Sequence, residues 1–150
     1  MNTKFQKFLY LFLPIILGSI VGIIINPSID YESLIQPPLA PPKILFPIAW
    51  SIIYLLMGIS FYLYKKKDDN RTLNITYYLQ LIVNLLWSII FFILKWRFIS
   101  ILWIILLIFL VILTMYLFFK IEKKATYLFI PYLAWLLFAT YLNIGIYILN

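Results

Sequence analysis

Apolar residues run along this chain in long unbroken stretches, and charges occur only between them. The charge-free runs cover 8–29, 44–64, 72–94, 98–119 and 125–150. Each reaches the roughly 20 residues that an α-helix needs to cross about 30 Å of hydrocarbon. Transmembrane barrel strands would instead alternate apolar and polar positions over about ten residues. Ile99 to Phe119 is apolar on almost every side, which fits a helix. The pattern predicts an all-α integral membrane protein: a bundle of five transmembrane helices in one domain over 1–150. The helices are expected at about 6–26, 44–64, 73–94, 99–119 and 125–148, with one long loop at 27–43.

Composition sharpens this picture. Hydrophobic residues make up 65% of the chain and charged residues 11%, against about a quarter charged in a soluble domain. Lys4 and Lys7 ahead of the first run resemble a signal peptide. The run is longer than the 7–15 residues of such a segment, and no small-residue cleavage pattern follows it, so it is read as the first helix. Lipid is therefore the first partner expected.

The net charge of +7 changes the picture only through where it sits. With five crossings, the N-terminus and the 65–71 and 120–124 connections share a side. They carry Lys4, Lys7, Lys65, Lys66, Lys67, Arg71, Lys120, Lys123 and Lys124, against Lys43, Lys95 and Arg97 opposite. Positive charge in short loops marks the cytoplasmic side. The N-terminus is expected inside, with the 27–43 loop and the C-terminus external, and no nucleic-acid partner is expected. A bacterial inner membrane fits the composition.

Candidate chemistry is sparse. The chain has no cysteine and no histidine, which removes thiol chemistry, the commonest metal ligand and the commonest proton shuttle. All five acids, Asp30, Glu32, Asp68, Asp69 and Glu122, lie in connections. A proton-driven pump or an acid/base catalyst would need an ionisable group within the spans.

Uncharged polar and aromatic residues carry more information. Gln80, Asn84 and Ser88 recur at i, i+4 and i+8 and share one helix face beside Trp87. Lipid tails penalise an unpaired amide, so this face is expected to point inward. Trp50, Tyr54, Met57, Gly58 and Phe61 form a second stripe, and Trp135, Ala139, Leu142 and Asn143 a third. The amides have two readings, interhelical hydrogen bonding and the lining of a pocket. Trp96, between Lys95 and Arg97, belongs to the interfacial belt, whereas Trp87 and Trp135 lie deeper. Together the stripes describe an apolar, aromatic-walled pocket with a few polar anchors, suited to a flat hydrophobic ligand. Gly18 and Gly22 form a small-xxx-small pair, read either as a homodimer interface or as packing within the bundle. Pro14 is expected to bend its helix. Pro27, Pro37, Pro38, Pro41 and Pro42 make the 27–43 loop stiff and largely extended, as a lid over the bundle or as a plain connector.

These motifs resemble a known family. Pro41, Pro42, Phe46, Trp50, Tyr54, Met57 and Gly58 match, in order, the signature of the TspO/MBR family, the tryptophan-rich sensory proteins and the translocator proteins. Asn84, Trp87 and Ser88 followed by Phe91 and Phe92 are similar to a second motif. Pro131 to Asn143, with Trp135, Ala139 and Leu142, are similar to a third. The resemblance covers essentially the whole chain. It implies a five-helix bundle, often dimeric, with a cavity beneath the first loop that binds porphyrins and, in several members, sterols and drug-like compounds.

Carried over by position, the resemblance makes Trp50, Tyr54, Asn84, Trp87, Trp135, Ala139 and Leu142 ligand-binding residues, with Tyr31 added from the loop. It implies a receptor or sensor for tetrapyrroles, with no obligatory cofactor and Asn84 supplying a hydrogen bond. Without histidine, metal-free porphyrin or weakly held haem is expected over a redox haem. Light- and oxygen-dependent porphyrin degradation involving Trp50 and Trp135 is the enzymatic alternative, and facilitated tetrapyrrole transport a third. Ile144 and Ile148 stand where the family's sterol motif has tyrosine and a basic residue, which argues against sterol recognition.

Overall fold

The computed structural model describes residues 3–150, and among these five long helices account for nearly all regular structure. They are α1 (Lys4–Ile25), α2 (Leu45–Lys65), α3 (Arg71–Ser88), α4 (Arg97–Phe119) and α5 (Lys123–Leu149). All five are long and apolar enough to span a bilayer. Around the bundle the neighbours are α1–α2, α2–α5, α5–α4, α4–α3 and, more loosely, α3–α1.

Polar caps set several of the helix starts. The Thr3 hydroxyl accepts from the Gln6 amide at 3.0 Å, and the Asn70 side chain accepts from the Leu73 amide at 3.0 Å. Each satisfies a backbone donor that the first turn leaves free. Helix α1 continues through Pro14. Bulky apolar side chains such as Phe5, Ile20, Ile23, Leu102 and Phe109 stay exposed around the outside. In water this would be a liability; in a bilayer it is the surface that contacts lipid.

One expectation is refined and one corrected. The third helix reaches Ile93, as the expected end near 94 requires, but its α-helical part ends at Ser88 and its last turn, Ile89–Ile93, is a wider π-turn. Lys95, at φ 57°, then reverses the chain. The 27–43 loop is not largely extended. It begins with two 3-10 turns, Asn26–Ser28 and Tyr31–Ser33. Pro27 sits in the first turn, where its missing N–H costs nothing. Residues 30–36 contain no proline and close on themselves, Ser33 Oγ donating to the Asp30 carbonyl at 2.7 Å and Gln36 Nε2 to the Tyr31 carbonyl at 2.8 Å. Residues 29–30 and 34–42, the latter including the proline-rich stretch, have no regular structure beyond a bend at Leu34 and a turn at 38–39.

The buried core is aromatic. Phe61 stacks on Tyr77 with ring centroids 4.0 Å apart, and Tyr64, Phe118, Phe129 and Tyr132 complete a fully buried cluster toward the Lys65 end of the bundle. The two helices α1 and α2 approach closely at Gly58. A Cβ there would lie 1.9 Å from the Leu11 carbonyl oxygen. At Gly22 an added Cβ meets nothing within 4 Å, while at Gly18 it would meet the Tyr54 ring at 2.4 Å. The small-xxx-small pair thus divides: Gly18 accommodates a neighbour within the bundle and Gly22 does not. Gly58→Ala is expected to cost about 1–3 kcal/mol by overpacking against backbone. Gly22→Ala should stay within about 0.5 kcal/mol. Equilibrium unfolding of the two variants in lipid bicelles checks both.

Candidate functional site

A ladder of buried polar groups holds α2, α3 and α5 together. Tyr54 Oη donates to Asn84 Oδ1 at 2.5 Å, and Asn84 Nδ2 donates to Tyr132 Oη at 2.8 Å. Tyr132 Oη in turn donates to Gln80 Oε1 at 2.8 Å, and Gln80 Nε2 reaches Met57 Sδ at 3.4 Å. Every one of these side chains is buried. The inward stripe predicted on the third helix is therefore real: Gln80 and Asn84 serve interhelical pairing, and Ser88 lines the cavity above them.

Above this ladder, toward the first loop, the bundle opens into a cavity of about 860 Å³. Seven of the eight residues singled out from sequence line it: Tyr31, Trp50, Tyr54, Trp87, Trp135, Ala139 and Leu142. Trp50 stacks on Tyr54 at 5.6 Å between centroids and meets the Trp135 ring edge-on at 6.3 Å. Phe46 bridges the rings of Trp135 and Tyr31, at 5.9 and 5.0 Å. Trp87 stacks on Phe91 at 5.2 Å and donates from Nε1 to Asn143 Oδ1 at 3.1 Å. Trp135 Nε1 is different: it is a buried donor that meets no acceptor among the described residues.

Asn84 is the exception. It was expected to offer a hydrogen bond to a ligand, but it does not line the cavity, and its amide oxygen and nitrogen are both taken by Tyr54 and Tyr132. The cause is that Tyr54 lies on the cavity wall and its hydroxyl turns back toward Asn84. Tyr31 is also engaged, donating to the Pro41 carbonyl at 2.8 Å. Burial raises its phenol pKa above the usual 10.0, so it remains a neutral donor.

The first loop closes the cavity and is tied down at several points. Tyr141 Oη donates to the Pro38 carbonyl at 2.5 Å. The Asn150 side chain pairs with the Ile35 backbone in both directions, at 3.0 and 2.8 Å. Pro37 packs against Gly145, where a Cβ would come within 2.6 Å of its ring. Asp30 accepts from Lys95 Nζ at 3.0 Å and from Arg97 Nη2 at 3.1 Å. Partial burial pushes the Asp30 carboxyl up, but the Lys95 hydrogen bond and the charges of Arg97 and Lys95 outweigh it and hold its pKa below 3.8. Asp30 is thus an anion at neutral pH.

Sequence reasoning missed three parts of this site. Helix α1 supplies a whole wall through Ile15, Ser19 and Gly22; the only sequence signal was small residues one turn apart. Asn143 lines the cavity and holds Trp87, and its place in the third stripe was visible. The Asp30–Arg97 pair joins positions 67 residues apart, and Arg97 had been read only as a boundary charge.

The fold and cavity define a class: a small helical membrane protein that encloses an aromatic-lined chamber beneath one capped end. The arrangement can surround an apolar body, and Glu32 and Lys43 add charged groups to its lining. The model of the TspO/MBR family matches residues 10–149, and the chain belongs to that family. It is 40% identical over 123 residues to the tryptophan-rich protein TspO of Archaeoglobus fulgidus, covering 80% of this chain and 79% of the relative. It is 34% identical over 123 residues to the tryptophan-rich sensory protein of Cereibacter sphaeroides, covering 81% and 77%. Against the translocator protein homolog of Schizosaccharomyces pombe it is 34% identical over 143 residues, covering 91% and 87%. Family membership supports a role as a membrane sensor or receptor.

Proposed function

We propose that the chain is a membrane receptor that takes porphyrins, or similar flat hydrophobic tetrapyrroles, into the cavity between Trp50, Trp87 and Trp135. The observation that carries this reading is a chamber of about 860 Å³, within the roughly 300–1,000 Å³ of small-molecule sites. Opposite the aliphatic wall of α1 the chamber presents indole, phenol and phenyl groups, which suit a planar π-system through offset and edge-on contacts. The unpaired Trp135 N–H adds a polar anchor: a ligand acceptor beside it removes the cost of a buried donor without a partner. Asn84 acts behind the wall by fixing Tyr54.

Protoporphyrin titrated into the protein in nanodiscs, followed by tryptophan quenching, tests this directly. Saturable binding is expected, weakened about tenfold by Trp135→Phe, which keeps a ring but removes the N–H; tenfold corresponds to about 1.4 kcal/mol. Non-saturating quenching, equal in the variant, would mean partition into lipid and would overturn the reading.

We also infer that the face carrying Lys65, Lys66, Lys67, Arg71 and Lys120 is cytoplasmic, because basic residues concentrate there. The chain lacks cysteine, so single cysteines introduced at Ser33 and at Asp68 report sidedness cleanly. In intact cells an impermeant maleimide should label the first and spare the second; the opposite pattern would reverse the orientation.

A further inference from the structure

The π-turn that ends α3 frees a carbonyl oxygen, and Arg97 takes it. Its Nε donates to the Phe91 carbonyl at 3.1 Å. The guanidinium carbon lies 4.5 Å from the Phe91 ring centroid, and the same group's Nη2 reaches both Asp30 carboxylate oxygens at 3.1 and 3.2 Å. One planar cation therefore binds the loop over the cavity, a backbone oxygen exposed by the wide turn, and an aromatic face. Lysine has no such fork of donors.

The contacts continue to the cavity wall and return. Phe91 stacks on Trp87 with their planes 21° apart. Trp87 Nε1 donates to Asn143, and Asn143 Nδ2 donates back to the Arg97 carbonyl at 3.3 Å. Trp87 is thus held on both sides by one residue, by the Arg97 side chain through Phe91 and by its backbone through Asn143. The Arg97 side chain is only 13% exposed, against 48% for Lys95. The Lys95 pair is a surface contact of the kind that contributes little; the Arg97 pair is not.

The geometry points to Arg97 as a positioning residue that couples closure of the first loop, through Asp30, to the set of the Trp87 wall, through Phe91. A ligand in the cavity is then retained by loop and wall together, and loosening either loosens both. This rests on the cavity being the ligand site, as proposed above, for its ligand arm only. Coupling through a shared group has a specific signature: the effects of breaking its two ends do not combine independently.

The test uses the full chain in nanodiscs with Asp30→Asn, Phe91→Leu and the double variant. Two rates are followed: ligand-free hydrogen exchange of the Ser33 and Leu34 amides, and dissociation of bound protoporphyrin. Each single variant is expected to raise both rates by about fivefold, and the double variant by little more than either alone. A double variant showing the product of the single effects, about 25-fold, or singles that leave loop exchange unchanged, would overturn the coupling. Should Phe91→Leu fail to fold, Arg97→Lys takes its place. It keeps the charge for Asp30 while losing the fork, and must raise loop exchange nearly as much as Asp30→Asn; full retention of wild-type exchange would overturn the proposal. Lys95→Gln is expected to leave both rates within about twofold. Because the exchange arm needs no ligand, failure of porphyrin binding would count against the functional reading and leave the Arg97 coupling to be decided separately.

Discussion

The structure depends on one constraint: a polar group inside an apolar bundle must find its partner inside the bundle. Tyr54, Gln80, Asn84 and Tyr132 satisfy one another in sequence across α2, α3 and α5. Four side chains from three helices can do so only in one register, so the ladder fixes how those helices face each other. Outside it, lipid-facing isoleucines, leucines and phenylalanines are as content against acyl chains as against a neighbouring helix. They give the helices no reason to choose one arrangement over another.

The ladder also decides where the cavity lies. It fills the mid-bundle between α2, α3 and α5, and the aromatic cluster around Phe61, Tyr77 and Phe118 fills the end near Lys65. What remains open is the other end, where α1 leans on α2 and only loosely on α3. The first loop caps that opening and is fastened from α5 by Tyr141 and Asn150 and from the start of α4 by Arg97. Structural polarity thus sits at the centre of the bundle and at the rim. The walls between keep mostly aromatic and aliphatic faces. That division lets a chamber in a membrane accept an apolar guest without leaving many polar groups unpaired.

Much of this was legible in the sequence, because the signals were strong and local. Charge-free runs of membrane length placed all five helices, and residues at i, i+4 and i+8 on the third identified Gln80 and Asn84 as inward-facing. What the spacing could not say is what each inward group faces. Asn84 and Trp87 are three residues apart, yet one pairs with phenols and the other lines the chamber. Helix α4 shows the limit from the other side. Ser100, Ile104, Leu107, Val111, Thr114 and Phe118 form its buried face, but in a helix apolar all round only Ser100 and Thr114 could have marked it. The π-turn after Ser88 left no periodic trace, since Ile89 to Ile93 is as compatible with an α-helix. The Asp30–Arg97 pair was invisible for a different reason: long-range ion pairs have no local pattern.

The most direct test of the account is the unfolding free energy of Asn84→Leu in bicelles, set beside the variant that makes the whole ladder apolar. That variant combines Tyr54→Phe, Gln80→Leu, Asn84→Leu and Tyr132→Phe. If unpaired polar groups are the governing constraint, Asn84→Leu alone costs about 1–3 kcal/mol because it leaves the Tyr54 hydroxyl without its acceptor and takes one of two partners from Tyr132, and the fourfold variant recovers most of that loss. An Asn84→Leu protein within about 0.5 kcal/mol of the wild type would contradict the account, since the stranded groups would then be finding partners elsewhere.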